Sequence, residues 1–327
     1  MKPLALLLLC SVALSACAQE PATLKLTQTI PLPGVKGRFD HFAIDTKGHR
    51  LFVAALGNNT LEVLDTVSGK TIKTITGLRK PTGVLYLSEP NEIAVANGDE
   101  GTFKFFNGAT YQLVRTVGAL DDADNVRLDP KTKLIYVGYA AGALAVIDAA
   151  TMKPTGSIKL AAHPESFQLE QEGSRIFVNI PDAKHIAVID RVKQTVTATW
   201  PITTFQANFP MALDEANHRL FVGCRQPARL VVFDTSTGKP VTDLAISGDT
   251  DDLFYDARRK RLYVSCGEGF VDVIDQRDAD HYQLRERVPT RPGARTAFFA
   301  PDSNEFYLAV PLRGNQEAEI RVYQPQK

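Results

Sequence analysis

The chain of 327 residues has no excess charge of either sign, because 37 Lys and Arg are balanced by 37 Asp and Glu. A general nucleic-acid binder needs a basic face to meet phosphates, so the balance argues against that class. The composition is 44% hydrophobic and 23% charged. These values exclude a disordered, collagen-like or coiled-coil chain and indicate an ordinary globular protein.

Cysteine is scarce, and two of the four cysteines lie in an N-terminal leader. An apolar run from Leu4 to Leu14 follows Lys2 and has the length of a signal-peptide core. The quartet Leu14-Ser15-Ala16-Cys17 resembles a bacterial lipobox, which predicts a signal peptide over residues 1–16 and lipidation of Cys17. The alternative is ordinary cleavage after the small-x-small triplet that ends at Ala18.

Both forms of cleavage predict export, and we expect a periplasmic protein anchored by lipid to a bacterial membrane. No other apolar stretch of the sequence is long enough to span a bilayer. The lipid is therefore the only membrane attachment that we expect.

The rest of the sequence is an internal repeat of short apolar runs, each ending in an acidic or amide residue. The runs end at Asp65, Asn107, Asp148, Asp190, Asp234 and Asp275, with a degenerate copy ending at Gln324. An upstream segment in each copy is apolar on both faces, as in residues 50–53, and helical spacing is absent. Four-stranded sheets with two apolar faces cannot stand alone, but seven of them can pack around one axis.

The first full copy predicts four strands, at residues 42–45, 51–55, 60–65 and 70–75, numbered from the axis outwards. The seventh copy ends after its third strand. Residues 23–30 have the pattern of an outermost strand and are predicted to complete it, which closes the ring. The prediction is thus a single domain over residues 22–326, and deletion of residues 22–33 should destabilise all of it.

Segments 50–55, 60–66 and 69–72 resemble the YVTN repeat, and residues 22–325 are similar to the bacterial YncE-like propellers. The resemblance implies an all-β, seven-bladed β-propeller with four antiparallel strands in each blade. Such propellers serve as binding modules, enzymes and scaffolds alike.

Cys224 and Cys266 occupy equivalent positions in neighbouring repeats, at the end of the second strand. Equivalent points in adjacent blades are usually farther apart than the roughly 7 Å between Cα atoms that a disulfide allows. We expect two buried thiols, with a disulfide as the alternative if the following loops lean together.

Polar residues recur just before the innermost strand of each repeat, where loops of a propeller surround the mouth of the central channel. The positions of interest lie five and seven residues before the end of each innermost strand, with the seventh of these strands predicted to end at Pro301. In two repeats both positions hold aspartate, which gives two Asp-x-Asp pairs. On an extended strand this spacing places both side chains on one face. The candidate ligand-binding residues are Asp40, His41, Asp122, Asp124, Asn125, His163, Glu165, Asn208, Asp249, Asp251, Asp252 and Arg295.

Crowded carboxylates must be neutralised by protonation, by a cation or by basic side chains such as Arg38, Lys80 and Arg295. Carboxylates with an amide favour Ca²⁺, whereas added histidines favour Mn²⁺ or Zn²⁺. The candidate metal ligands are Asp124, His163, Glu165 and Asp251. A purely structural role for these residues, in capping turns, is the alternative.

The sequence lacks the usual catalytic motifs: there is no Gly-x-Ser-x-Gly elbow, no His-Glu-x-x-His helix and no complete P-loop. This favours a monomeric binding or scaffold protein that takes a small polar ligand or a protein partner at the channel mouth. The alternative is a propeller-type hydrolase such as a lactonase, in which a metal, or His163 with Glu165, activates water.

Overall fold

The computed structural model describes residues 22–327, which form seven four-stranded antiparallel sheets. The predicted signal peptide, residues 1–16, and the predicted lipidation site at Cys17 lie outside the described residues. A short 3-10 turn covers Leu56–Asn58. Residues 22–327 contain no helix with the length and hydropathy needed to cross a bilayer.

The strands are numbered β1 to β28 in chain order, and each blade is numbered by its place in the sequence. Strand β1 covers Leu24–Pro31. Blade 1 contains β2 to β5 at Phe42–Asp45, Arg50–Ala55, Thr60–Asp65 and Lys70–Ile75. Blade 2 contains β6 to β9 at Pro81–Leu87, Glu92–Asn97, Thr102–Asn107 and Leu113–Val117. Blade 3 contains β10 to β13 at Val126–Asp129, Leu134–Tyr139, Ala143–Asp148 and Lys153–Lys159.

Blade 4 contains β14 to β17 at Phe167–Leu169, Arg175–Ile180, His185–Asp190 and Thr195–Pro201. Blade 5 contains β18 to β21 at Gln206–Asp214, Arg219–Gln226, Ala228–Asp234 and Pro240–Ala245. Blade 6 contains β22 to β25 at Thr250–Asp256, Arg261–Cys266, Phe270–Gln276 and Tyr282–Pro289. Blade 7 contains β26 to β28 at Ala297–Ala300, Glu305–Val310 and Glu319–Pro325, together with β1.

The two ends of the chain close the ring. Strand β1 pairs antiparallel with β28, from Leu24 opposite Pro325 to Pro31 opposite Glu319. The innermost strands β26 and β2 are in contact, as are those of every other pair of neighbouring blades. The predicted closure is therefore confirmed, and the closing strand is shifted by one residue towards the C-terminus from the predicted 23–30.

The core consists of seven apolar clusters in the described chain, one at each contact between neighbouring blades. Adjacent residues of one strand serve different clusters, because successive side chains point to opposite faces. In β3, Phe52 packs between blades 1 and 2, whereas Val53 packs between blades 7 and 1. Each such buried side chain contributes about 1.5–3 kcal/mol. This explains why the middle strands are apolar on both faces.

The innermost strands line a central channel with one equivalent side chain from each blade. These side chains lie two residues before the end of the strand, except in the short strand β14, where the residue lies one before the end. Six of them line a cavity of about 440 Å³, the channel cavity: Ala43, Leu85, Arg127, Gln168, Phe254 and Phe298.

Candidate functional site

The loops that precede the innermost strands surround a second cavity of about 210 Å³, the mouth cavity, at one end of the channel. It adjoins the channel cavity, because His41 and Asp252 line both. Ten of the twelve predicted residues line the mouth cavity: Asp40, His41, Asp122, Asp124, Asn125, His163, Glu165, Asp251, Asp252 and Arg295.

The two Asp-x-Asp pairs are not extended, as the sequence analysis had assumed. The first aspartate of each pair, Asp122 or Asp249, has a left-handed backbone with φ of 50° or 58°. In blade 3 the innermost strand begins only at Val126, so both aspartates of that pair lie in the preceding loop. The first carboxylate therefore turns towards solvent, and the second lies deeper: Asp122 is 53% exposed and Asp124 only 21%.

The seventh blade is shifted by one residue from the predicted register. Ala300 pairs with Glu305 in the way that Asp45 pairs with Arg50, so the strand ends at Ala300 and not at Pro301. Five residues before Ala300 stands Arg295, not Thr296. Five residues before the end of its innermost strand, blade 7 therefore has a guanidinium where blades 1, 3, 4 and 6 have a carboxylate.

Two arginines neutralise the carboxylates of blade 6. Arg295 places Nη1 2.6 Å from Oδ1 of Asp249 and Nε 3.0 Å from Oδ2 of Asp251. From the other side, Arg225 pairs with Oδ1 of Asp251, and its guanidinium lies over the ring of Phe209, 3.9 Å from the centroid. Both oxygens of Asp251 are therefore held in ion pairs.

On the opposite side of the mouth cavity, Asp40, His41 and Asp124 come together. One potential ligand atom from each of these residues lies within 4.8 Å of the other two. Nε2 of His41 is 3.4 Å from Oδ1 of Asp40 and 3.8 Å from Oδ1 of Asp124. Burial lowers the pKa of His41, so the imidazole is neutral at pH 7 and has a free lone pair.

His163 lies on the other side of Asp124. Its Nε2 is 3.9 Å from Oδ2 of that carboxylate. Its Nδ1 is 2.7 Å from the carbonyl oxygen of Ala140 and must donate, because a carbonyl only accepts. The carboxylate of Asp124 raises the pKa of His163 to about 9. The imidazole is therefore positively charged at pH 7.

The mouth cavity has more carboxyl groups than Lys and Arg side chains. Six carboxylates line it, against four Lys and Arg side chains. Lys80 is committed to Asp122, with Nζ 2.7 Å from Oδ1. Burial, followed by the charge of Asp124, raises the pKa of Glu165 to about 8 and that of Asp40 well above its usual range. In the half of the mouth cavity formed by blades 1, 3 and 4, no Lys or Arg of the described chain approaches Asp40 or Asp124 closer than the 3.7 Å between Arg38 and Asp40.

Asn125 adds an unpartnered oxygen to this half. Its side chain lines the mouth cavity and is only 3% exposed. Its Oδ1 is buried and has no hydrogen-bond partner within residues 22–327. An unpartnered buried amide oxygen is costly, so it points to an acceptor site for a cation or a donor.

No protein-family model matches the chain. It is 21% identical over 196 residues to the uncharacterized protein YncE of Salmonella typhimurium, an alignment that covers 58% of this chain and 55% of that protein. The YncE of Salmonella typhi is 22% identical over 197 residues, with the same coverage. The chain spans about half the length of these curated relatives. Together with the seven blades, this similarity supports a resemblance to the YncE proteins.

The chain is a seven-bladed β-propeller with similarity to YncE. Solved structures support the fold alone. A chain in the crystal structure of the mitotic checkpoint complex matches this propeller with a TM-score of 0.77 and 13% identity, over 100% of this chain and 99% of that one. A chain of the Kuenenia stuttgartiensis hydrazine synthase matches with a TM-score of 0.73 and 17% identity, over 88% and 97%.

Two predicted residues of the YncE-like propeller lie outside the mouth cavity. Asn208 is buried, and its Nδ2 donates to Oδ1 of Asn179 at 3.0 Å, which makes it part of a structural pair. Asp249 lies at the rim and pairs with Arg295. The sequence analysis missed Arg225, which reaches the mouth cavity from the end of β19, the second strand of blade 5. Its position beside the turn to the third strand, on the face where the channel opens, is the signal that could have found it.

The candidate metal ligands of the YncE-like propeller change in one respect. Asp124, His163 and Glu165 do line one side of the mouth cavity, but Asp251 is held by two arginines. Asp40 and His41 take its place beside Asp124.

The two cysteines are free thiols, as expected. Cys224 and Cys266 are both fully buried and form no disulfide. Burial raises the pKa of Cys224 to about 12 and that of Cys266 further still. Neither thiol is a nucleophile at neutral pH.

Proposed function

We propose that this YncE-like propeller binds a divalent cation at the mouth of its channel, with Asp40, His41 and Asp124 as ligands. The observation that carries this proposal is the approach of their ligand atoms to within 4.8 Å of one another, on the side of the mouth cavity where no Lys or Arg of residues 22–327 comes closer to these residues than 3.7 Å. Like charges at this range need a counter-charge, and a divalent ion would supply it without protonation.

The donor set favours Mn²⁺ or Zn²⁺ over Ca²⁺. A neutral imidazole is a good ligand for first-row transition metals, whereas Ca²⁺ takes oxygen alone. The free Oδ1 of Asn125 is a further oxygen donor on the same side. His163 is positively charged at pH 7 and serves as the partner that fixes the carboxylate of Asp124.

Elemental analysis of protein purified without chelator tests this proposal. We expect about one equivalent of a divalent metal, as for a protein site assembled by the fold. Metal-free protein that also takes up no Mn²⁺ or Zn²⁺ in a calorimetric titration would rule the site out.

We further propose that the protein acts outside the cytoplasm as a lipid-anchored binding protein. The lipobox-like quartet ending at Cys17 supports this. Mass spectrometry of the mature N-terminus tests it: a diacylglyceryl modification on Cys17 is expected, and an unmodified terminus after Ala18 would instead support ordinary secretion.

A hydrolase is the second candidate function, and Glu165 is the observation that favours it. Its carboxyl group, with a pKa raised to about 8 by burial and by Asp124, is protonated at pH 7 and lines the same cavity as the candidate metal ligands. A general acid beside a metal-bound water is the arrangement of many hydrolases. A panel of lactones and esters, assayed with Mn²⁺ or Zn²⁺, tests this reading, and absence of turnover would leave the binding function alone.

A further inference from the structure

Beneath the mouth cavity, the channel cavity has a different chemistry. Most of its lining is aromatic or aliphatic, and Arg127 is the only Lys or Arg that lines it in the described chain. Its volume of about 440 Å³ falls within the range of small-molecule sites. A largely apolar cavity with a small number of placed polar groups is the usual form of such a site.

Arg127 has no ion-pair partner in the described chain, although the charges of Asp252 and Asp124 act on it. Its Nη1 donates to the carbonyl oxygen of Val126, its neighbour in the chain, at 2.8 Å. A guanidinium has five N–H donors in a planar fork that suits a carboxylate. Asp252, which lines the same cavity, accepts from the backbone N of Ala297 through Oδ2 at 2.8 Å. Donors of Arg127 are therefore left for a ligand.

An aromatic surface lies across the channel from this guanidinium. Phe254 and Phe298 line the channel cavity, and their ring centroids are 6.3 Å apart in an edge-to-face arrangement. They belong to blades 6 and 7, and each of these blades lies three places around the ring from blade 3, which carries Arg127. In a ring of seven this is the greatest separation, so the aromatic wall lies across the channel from the strand that carries Arg127.

We propose that the channel cavity binds a small aromatic carboxylate, with its ring against Phe254 and Phe298 and its carboxylate on Arg127. The aromatic wall would supply stacking or edge-to-face contact, and the guanidinium a bidentate charged hydrogen bond. The ligand enters through the mouth cavity, which shares His41 and Asp252 with the channel cavity. This site is additional to the proposed cation site and needs no metal.

Calorimetric titration of chelator-treated protein with three probes tests the proposal: 2-naphthoate, neutral 2-naphthamide and acetate. We expect one 2-naphthoate to bind per chain. Naphthamide should bind at least about tenfold more weakly, because it loses a charged hydrogen bond. Acetate should give no saturable binding, because it lacks the ring. Equal binding of acetate and naphthoate, or no binding of naphthoate, would overturn the proposal.

Variants of Arg127 test where the carboxylate of the bound naphthoate lies. Arg127→Met should weaken naphthoate binding at least about tenfold while leaving naphthamide nearly unchanged. Arg127→Lys keeps the charge and should fall between the two. The matched control is Arg115→Met, on the exposed outer strand of blade 2. Full naphthoate affinity in both Arg127 variants would place the anion elsewhere and refute the site. Because metal is absent throughout, failure here leaves the cation proposal to its own elemental analysis.

Discussion

Nε of Arg295 lies 3.0 Å from Oδ2 of Asp251, so an arginine of blade 7 neutralises a carboxylate of blade 6. The two residues hold the same place in their blades, five residues before the end of the innermost strand. Asp40 and Asp124 hold that place in blades 1 and 3, where no arginine makes an equally close pair. This difference divides the mouth cavity into a neutralised half and a half that is open to a cation.

The first prediction concerns Asp124. Replacement by Asn removes a proposed ligand charge at the centre of the open half, so affinity for Mn²⁺ should fall at least about tenfold. Calorimetric titration measures the change. The matched control is Asp121→Asn, which removes the same charge from an exposed position three residues earlier that does not line the mouth cavity. Equal losses in the two variants would mean that the protein responds to net charge and not to ligation.

The second prediction concerns the closing strand. Deletion of residues 22–33 removes β1 and its ladder with β28, so the urea midpoint of the whole domain should fall. Within the strand, Ile30 is fully buried between blades 7 and 1. Ile30→Ala should cost about 2–5 kcal/mol, whereas Lys25→Ala, on the exposed face, should change stability by less than about 0.5 kcal/mol. An unchanged midpoint in the deletion variant would argue against closure by this strand.

The third prediction concerns the thiols. Because Cys224 and Cys266 are fully buried, a thiol reagent should leave native protein that lacks residues 1–17 unlabelled at pH 7. The same protein should label at both positions in guanidinium. Protein purified without reductant is the right sample, since failure to label after unfolding would reveal a disulfide instead.

The fourth prediction concerns Asp252. Burial, and then the charge of Asp251, raises its pKa to about 8 from an ordinary value of 3.8. Between these values the folded protein binds a proton that the unfolded chain has lost, so this residue makes stability fall as pH rises. Asp252→Asn keeps an acceptor for the backbone N of Ala297 and removes the ionisation.

The gain in stability of Asp252→Asn over the wild type should therefore grow from about pH 4 to about pH 8 and then level off. Urea denaturation of both proteins across this range, with chelator present, measures it. A difference that is constant with pH would contradict the raised pKa.

The strand pattern was predictable to within a residue or two for most blades, because burial on both faces leaves a simple apolar signal. The predicted second strand of blade 1 began at residue 51, and the structure begins it at Arg50. The predicted strand end was wrong in blade 7, because the innermost strand ends at Ala300 and lacks the aspartate that ends this strand in four other blades. Counting five residues back from Pro301 therefore gave Thr296, whereas the equivalent residue in the structure is Arg295.

The sequence by itself determined the seven repeats, the closing strand and the set of polar residues near the mouth, because periodic apolar burial and loop composition are local properties. Only the tertiary structure decided which charges meet. Asp251 and Asp124 look alike in sequence, yet Arg225 and Arg295 from neighbouring blades pair with Asp251 and not with Asp124. Asp124 meets His41 and His163 instead. Such pairings depend on side chains from different blades that converge on one axis, and spacing along the chain does not encode those distances.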